Sequence, residues 1–231
     1  MSNVQGLANG LPLTRRRALV WLGGLGLAAV LPGCADDDPV ATPPASTAQG
    51  ADCVLMPELT EGPYYLDLDL VRRDITEGRP GVPFELAVAV VDAETCVPIE
   101  GAAVDVWHCD AQGVYSGVEG DSGTFLRGVQ VTGADGVATF RTIFPGWYTG
   151  RAVHIHLKVA LGTRDVHTGQ LFFDDATLAA AYESDPYAAR GAPDTSNETD
   201  GIYGQSGGST VVAVTAGETY RGSVTLGVQR T

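Results

Sequence analysis

The chain has 231 residues, 14 basic against 28 acidic, for a formal net charge of −14, and 44% of it is hydrophobic. An acidic balance of this size favours solubility and argues against nucleic acid or another anionic polymer as partner.

The beginning of the chain reads as an address rather than as fold. Arg15, Arg16 and Arg17 precede an uncharged run from Ala18 to Leu31. That run fits the about 7–15 residues of a signal-peptide apolar region and falls short of the about 20 that span a bilayer. Adjacent arginines before a Gly- and Ala-rich core resemble a twin-arginine (Tat) signal, a route for proteins that fold or load cofactor before export. The run ends at Leu31-Pro32-Gly33-Cys34, which resembles a bacterial lipobox in spite of Pro32. A lipidated Cys34 would attach the protein to a membrane face, and residues 34–50, rich in Asp, Pro, Ala and Thr, would be a flexible tether. A soluble exported protein cleaved nearby is the alternative. We therefore expect an export signal over 1–33, a tether over 34–50 and a folded domain over 51–231, working as a cell-envelope lipoprotein or as a periplasmic or extracellular protein. Losing Arg15, Arg16 and Arg17 with the signal leaves 11 basic residues against 28 acidic ones, a net charge of −17.

With Cys34 set aside, Cys53, Cys96 and Cys109 remain in an oxidising compartment, where one disulfide and one free thiol are the simple outcome. The spacing does not choose the pair, and no Cys-x-x-Cys suggests a metal site.

From Ala51 onward, about 180 residues suffice for one domain with a substantial core. Short strands are expected at Phe84–Val91, Ala103–Cys109, Gly136–Ile143, His154–Ala160, Gln170–Phe173, Thr210–Val214 and Tyr220–Val228, with turns such as Ala134-Asp135-Gly136 between them. Asp175–Tyr182 alone reads as a helix, with Asp174 or Asp175 as N-cap. Many closely spaced strands predict an all-β fold, an antiparallel β-sandwich with one short helix, its site built on long loops.

The strand beginning His154-Ile155-His156 alternates with period two, which puts both imidazoles on one face and Ile155, Leu157 and Val159 on the other. Tyr115 and Tyr148 add two phenols that could converge with them on one metal ion. Singly, each has a quieter reading: a tyrosine usually packs with its hydroxyl bonded, and His-x-His binds zinc or copper, or nothing. His108 reads as structural, Trp107 and Trp147 as packing residues with pocket lining as the alternative for Trp147, and His167 has no assigned role.

Five segments in order then carry a family resemblance: Thr60–Tyr65, Val106–Tyr115, Phe125–Gln130, Thr142–Tyr148 and Arg151–His156. Together they resemble the intradiol ring-cleavage dioxygenases, in particular the exported, single-domain branch related to protocatechuate 3,4-dioxygenase and catechol 1,2-dioxygenase. The resemblance implies that Tyr115, Tyr148, His154 and His156 hold a non-haem Fe(III). Phenolate suits ferric iron, whereas two histidines and one carboxylate suit ferrous oxygenases. It further implies catalytic roles for Tyr148 in taking up catechol protons, for Arg151 in stabilising negative charge on the substrate ring, and for Gln170 in orienting oxygen intermediates. Substrates would be a catechol-type aromatic and O2, and the product a muconate-type diacid.

Two departures bear on substrate. Only five residues separate Tyr148 from His154, where the better-studied enzymes carry a longer loop, and Ala152-Val153 replaces the usual Pro-Ala. The shorter loop is expected to open the pocket, with Tyr64 and Tyr65 as possible wall. The competing readings are a β-sandwich module holding copper or zinc on His154 and His156, and a binding lipoprotein on a degenerate scaffold. The presence of both tyrosines favours the enzyme.

Overall fold

In the computed structural model, which describes residues 53, 55–118 and 120–230, alternating apolar side chains build two four-stranded sheets packed face to face. The expected signal, Cys34 and the tether lie outside the described residues. The strands are β1 (Pro83–Asp92), β2 (Ala103–Trp107), β3 (Arg127–Val131), β4 (Val137–Ile143), β5 (His154–Leu161), β6 (Arg164–Phe172), β7 (Ala213–Thr215) and β8 (Tyr220–Val228). One sheet has the order β4-β1-β8-β7 and the other β3-β2-β5-β6.

The inner faces follow from period two. Phe84, Leu86, Val88 and Val90 of β1 meet Val104 and Val106 of β2 and Ile155, Leu157 and Val159 of β5 in one buried cluster. Each such side chain contributes about 1.5–3 kcal/mol when withdrawn from water. The all-β sandwich is therefore as expected, with a refinement: β1 and β8 run parallel, so that sheet is mixed.

Several boundaries differ from expectation. β6 begins at Arg164 rather than Gln170, and the seventh strand is confined to Ala213–Thr215. β3 was not anticipated, because Arg127-Gly128-Val129-Gln130 lacks clean alternation. Helix α1 (Asp175–Tyr182) stands where predicted, with the Asp174 carboxylate accepting from Thr177 N at 2.8 Å. A second helix, α2 (Gly201–Ser206), was missed. Its two glycines depress helix propensity, and it is fixed from outside by the Asp200 side chain, which accepts from Ile202 N and Tyr203 N. Two 3-10 turns, Ala188–Arg190 and Asn197–Thr199, accompany it.

Register positions the site. Across the second sheet, Arg127 pairs with Trp107, Trp107 with His156, and His156 with Gln170. Directly paired residues share a face, so these four form one row on the side away from the core.

Candidate metal centre

His154 and His156 leave β5 on that outer face, yet both are buried, at 2% and 1% exposure. Aromatic residues account for the cover. Trp107 stacks on the His156 ring, with centroids 5.0 Å apart and planes 5° from parallel. From behind, Gly62 approaches so closely that an added Cβ would lie 3.1 Å from His156 Cε1.

The imidazoles present their Nε2 atoms to a common point, 3.0 Å from each other. Ala152 O accepts from His154 Nδ1 at 2.6 Å, which places the proton on Nδ1 and leaves a lone pair on Nε2. Tyr148 Oη sits 3.2 Å from that same Nε2. Tyr115 closes the group, its ring 5.7 Å from Tyr148 and 6.1 Å from His156. Its hydroxyl is buried and meets no protein partner at hydrogen-bonding geometry. Tyr64 covers it, stacked at 4.5 Å, and meets Tyr148 edge-on. Of the two tyrosines of this turn, Tyr64 therefore packs against Tyr115 and Tyr148, while Tyr65 packs on Trp107.

The electrostatics are those of donors withheld from water. Burial drives the Tyr115 phenol well above its ordinary value, with the Cys109 thiol and Tyr148 adding to the rise. Tyr148 is pushed up to about 12 by burial, against the pull of the Arg151 charge. His154 falls to about 3 through burial and then Arg151, and His156 falls well below its usual value through burial, His154 and Arg151. Both histidines are neutral, the form that binds metal, and a cation placed among the phenols would reverse their shift. Among the described residues, no group of three or more His, Cys, Asp or Glu gathers as a metal site. Beside the two imidazoles stand two phenols, Tyr115 and Tyr148. Two facing imidazole nitrogens, a half-buried phenol and an orphaned buried phenol fit a small, hard cation that accepts mixed N and O ligands.

Arg151 occupies the rim. Its Nε donates to Asp200 Oδ2 at 2.8 Å and its Nη2 to Gln170 Oε1 at 2.6 Å. Gln170 in turn donates to Thr60 O at 2.8 Å, so both ends of the amide are engaged and it braces Arg151. Asp200 was absent from the sequence reading, since nothing in its local pattern points to the site. Arg127 was missed as well: it is 3% exposed and donates to Ser116 O, Ser116 Oγ and Tyr64 O, holding the Tyr64 and Tyr115 segments together.

Of the residues set aside, Trp107 lies against His156, while His108, His167 and Trp147 make other contacts. His108 bridges Cys109 O and Thr142 Oγ1, each at 2.8 Å, and burial lowers its pKa to about 4. His167 pairs with Glu58 at 3.3 Å. Trp147 Nε1 donates to Gly191 O. Cys53 and Cys96 form the disulfide, and Cys109 is a buried free thiol.

Known proteins resemble the chain in sequence and in fold. The profile of the Dioxygenase family matches residues 57–190. A chlorocatechol 1,2-dioxygenase of Cupriavidus pinatubonensis is 29% identical over 138 residues, 49% of this chain and 53% of that protein. The chain thus spans about half the length of that relative. An intradiol ring-cleavage dioxygenase from Tetranychus urticae superposes with a TM-score of 0.74 at 34% identity, covering 77% of this chain and 95% of that one. The dioxygenase domain of a carbohydrate-binding fusion protein from Streptomyces sp. SirexAA-E gives 0.59 at 31% identity, over 77% and 99%. A profile match over more than half of the chain, and a sandwich shared nearly end to end with such a dioxygenase, make this chain a member of the intradiol ring-cleavage dioxygenase family.

Proposed function

We propose that this protein cleaves catechol-type rings with O2 between the two hydroxyl-bearing carbons, holding Fe(III) on Tyr115, Tyr148, His154 and His156. The observation that carries the reading is the convergence of two phenols and two imidazole Nε2 atoms beside a guanidinium. Ferric iron, when bound, supplies Lewis acidity that draws charge from a catecholate and makes the ring reactive toward O2.

The chain's own residues divide the remaining work. Ala152 O and the Trp107 stack fix the two imidazoles, so that neither rotates as substrate enters. Tyr148 is half-buried while the other three donors are buried, so it is the one placed to receive a catechol proton on its phenolate oxygen. Arg151 lies close enough to act electrostatically on Tyr115, Tyr148, His154 and His156 alike. Its permanent charge favours phenolate over phenol and would stabilise negative charge on the substrate ring. Gln170 holds the guanidinium at Nη2 while Asp200 holds it at Nε. Catechol plus O2 gives the diacid with no other co-reactant, one oxygen atom entering each new carboxyl. The composition of residues 15–34 supports an exported enzyme, with Cys34 as the candidate lipid anchor.

The test is oxygen uptake by iron-loaded protein with catechol, followed by mass analysis of the product formed under 18O2. One label in each carboxyl is expected. His154→Ala should lose bound iron and turnover together. Full turnover in that variant, or no ring-opened product from the wild type, contradicts the reading.

A further inference from the structure

Resting on that function, we propose that Asp200 is the positioning residue that aims Arg151 at the site. Its carboxylate is buried, with 1% of the side chain exposed, and receives four donors, two on each oxygen. Oδ2 accepts from Arg151 Nε and Ala152 N, both at 2.8 Å. Oδ1 accepts from Ile202 N at 2.8 Å and Tyr203 N at 3.0 Å, at the start of α2. Only a carboxylate accepts at both ends; an amide would turn N–H groups toward one pair of donors, and a hydroxyl would reach one pair alone. Burial raises the carboxyl's pKa, but the hydrogen bonds from Tyr203, Ala152 and Arg151 outweigh it and hold the group below its ordinary range, so it is charged.

Asp200 lies beyond the segment matched by the family profile, which ends at residue 190. The stretch after that point is tied to the short Tyr148–His154 connection at two places, Asp194 Oδ1 accepting from Gly150 N and Asp200 from Arg151 and Ala152, and to the residue before Tyr148 at a third, Gly191 O accepting from Trp147 Nε1. Because Ala152 O also receives His154 Nδ1, the residue whose N–H Asp200 fixes is the one that orients a ligand imidazole. A connection of five residues has little structure of its own, and this strap supplies the rigidity that a longer loop would need to find within itself. The bidentate demand on Asp200 makes it both the cap of α2 and the anchor of Arg151, so the arm and the guanidinium are set as one unit.

The two roles separate in Asp200→Ser. Serine retains an N-cap for Ile202 and Tyr203 but does not reach Arg151. Positioning predicts that kcat of the iron-loaded enzyme falls about 10- to 100-fold while KM changes little, as in Arg151→Ala. The double variant Arg151→Ala/Asp200→Ser should be no slower than Arg151→Ala alone, because the two act through one group. In metal-free protein, Arg151→Ala should lower the melting temperature by leaving the Asp200 charge buried without its partner, and adding Asp200→Ser should lower it by less than the two single shifts together. If Asp200→Ser does not fold, Asp200→Thr, which likewise keeps a hydroxyl cap and does not reach Arg151, is read in the same way. An active wild type with wild-type kcat in the Asp200 variant overturns this inference alone, as does a multiplicative loss in the double variant. A wild type without ring cleavage overturns the function, and the inference with it.

Discussion

His154 and Arg151 are both held by oxygen atoms that something else fixes: a backbone carbonyl for the imidazole, a buried carboxylate for the guanidinium. Away from the site, Asp105 shows the opposite case, a carboxyl burial has left under-compensated. Its pKa rises to about 7, chiefly through desolvation, although Tyr65 donates to it and Arg127 lies near. The folded state therefore binds a proton between pH 3.8 and about 7 that the unfolded chain has released, so this group's contribution to stability falls as pH rises through that window. Asp105→Asn should be more stable relative to wild type at pH 7 than at pH 4, by on the order of 1 kcal/mol after solvent screening, in paired denaturant titrations. An unchanged difference across the window would refute it. Among single residues, His154 and His156 were legible from alternation alone, because a strand converts spacing into a shared face. Tyr115 and Tyr148 were legible only through the family's motif order, since no local period links positions on separate loops. Asp200 was not legible, and Arg127 was visible only as part of the Phe125–Gln130 motif, its role unread: each acts through hydrogen bonds to backbone distant in the chain, and such partners are not written in nearby sequence.

Strand pairing does what no single residue can. The row Arg127, Trp107, His156 and Gln170 comes from three neighbouring strand pairs in register, and a slip of one residue in β5 would send both imidazoles into the core. The Thr60–Tyr65 turn backs this row, with Gly62 at φ +72° against His156. Gly62→Ala meets both the left-handed backbone penalty, about 1 kcal/mol, and the 3.1 Å contact with the ring. It should weaken iron retention about tenfold by tilting His156, measured by chelator competition. Unaltered retention would mean that the turn merely covers the ring. The elements that alternate cleanly, β1, β5 and β8, were placed within a residue or so; β3 and α2 were missed because their sequences lack the period or the propensity, and outside contacts hold them.

At the scale of the molecule, the first and last strands of the sandwich pair with each other, and the Cys53–Cys96 disulfide, 43 residues apart in sequence, fastens the segment leading into the site to the turn after β1. Closing a loop of that length restricts the unfolded chain by about 3–4 kcal/mol. The double variant Cys53→Ser/Cys96→Ser should lose stability of that order in denaturant titration while keeping the spectrum of the metal-loaded site. A spectrum altered along with stability would show that the bridge shapes the centre. That two of the three cysteines would pair was an expectation of the sequence, and which two was not readable there, because pairing is decided by where the sheets bring the chain. The measurement that bears most directly on the whole reading is a visible absorption spectrum with metal analysis of the purified protein, before and after anaerobic addition of catechol. A tyrosinate-to-Fe(III) band at one iron per chain, shifting when catechol is added, is the expected result. A colourless protein that stays iron-free after ferric reconstitution would contradict it.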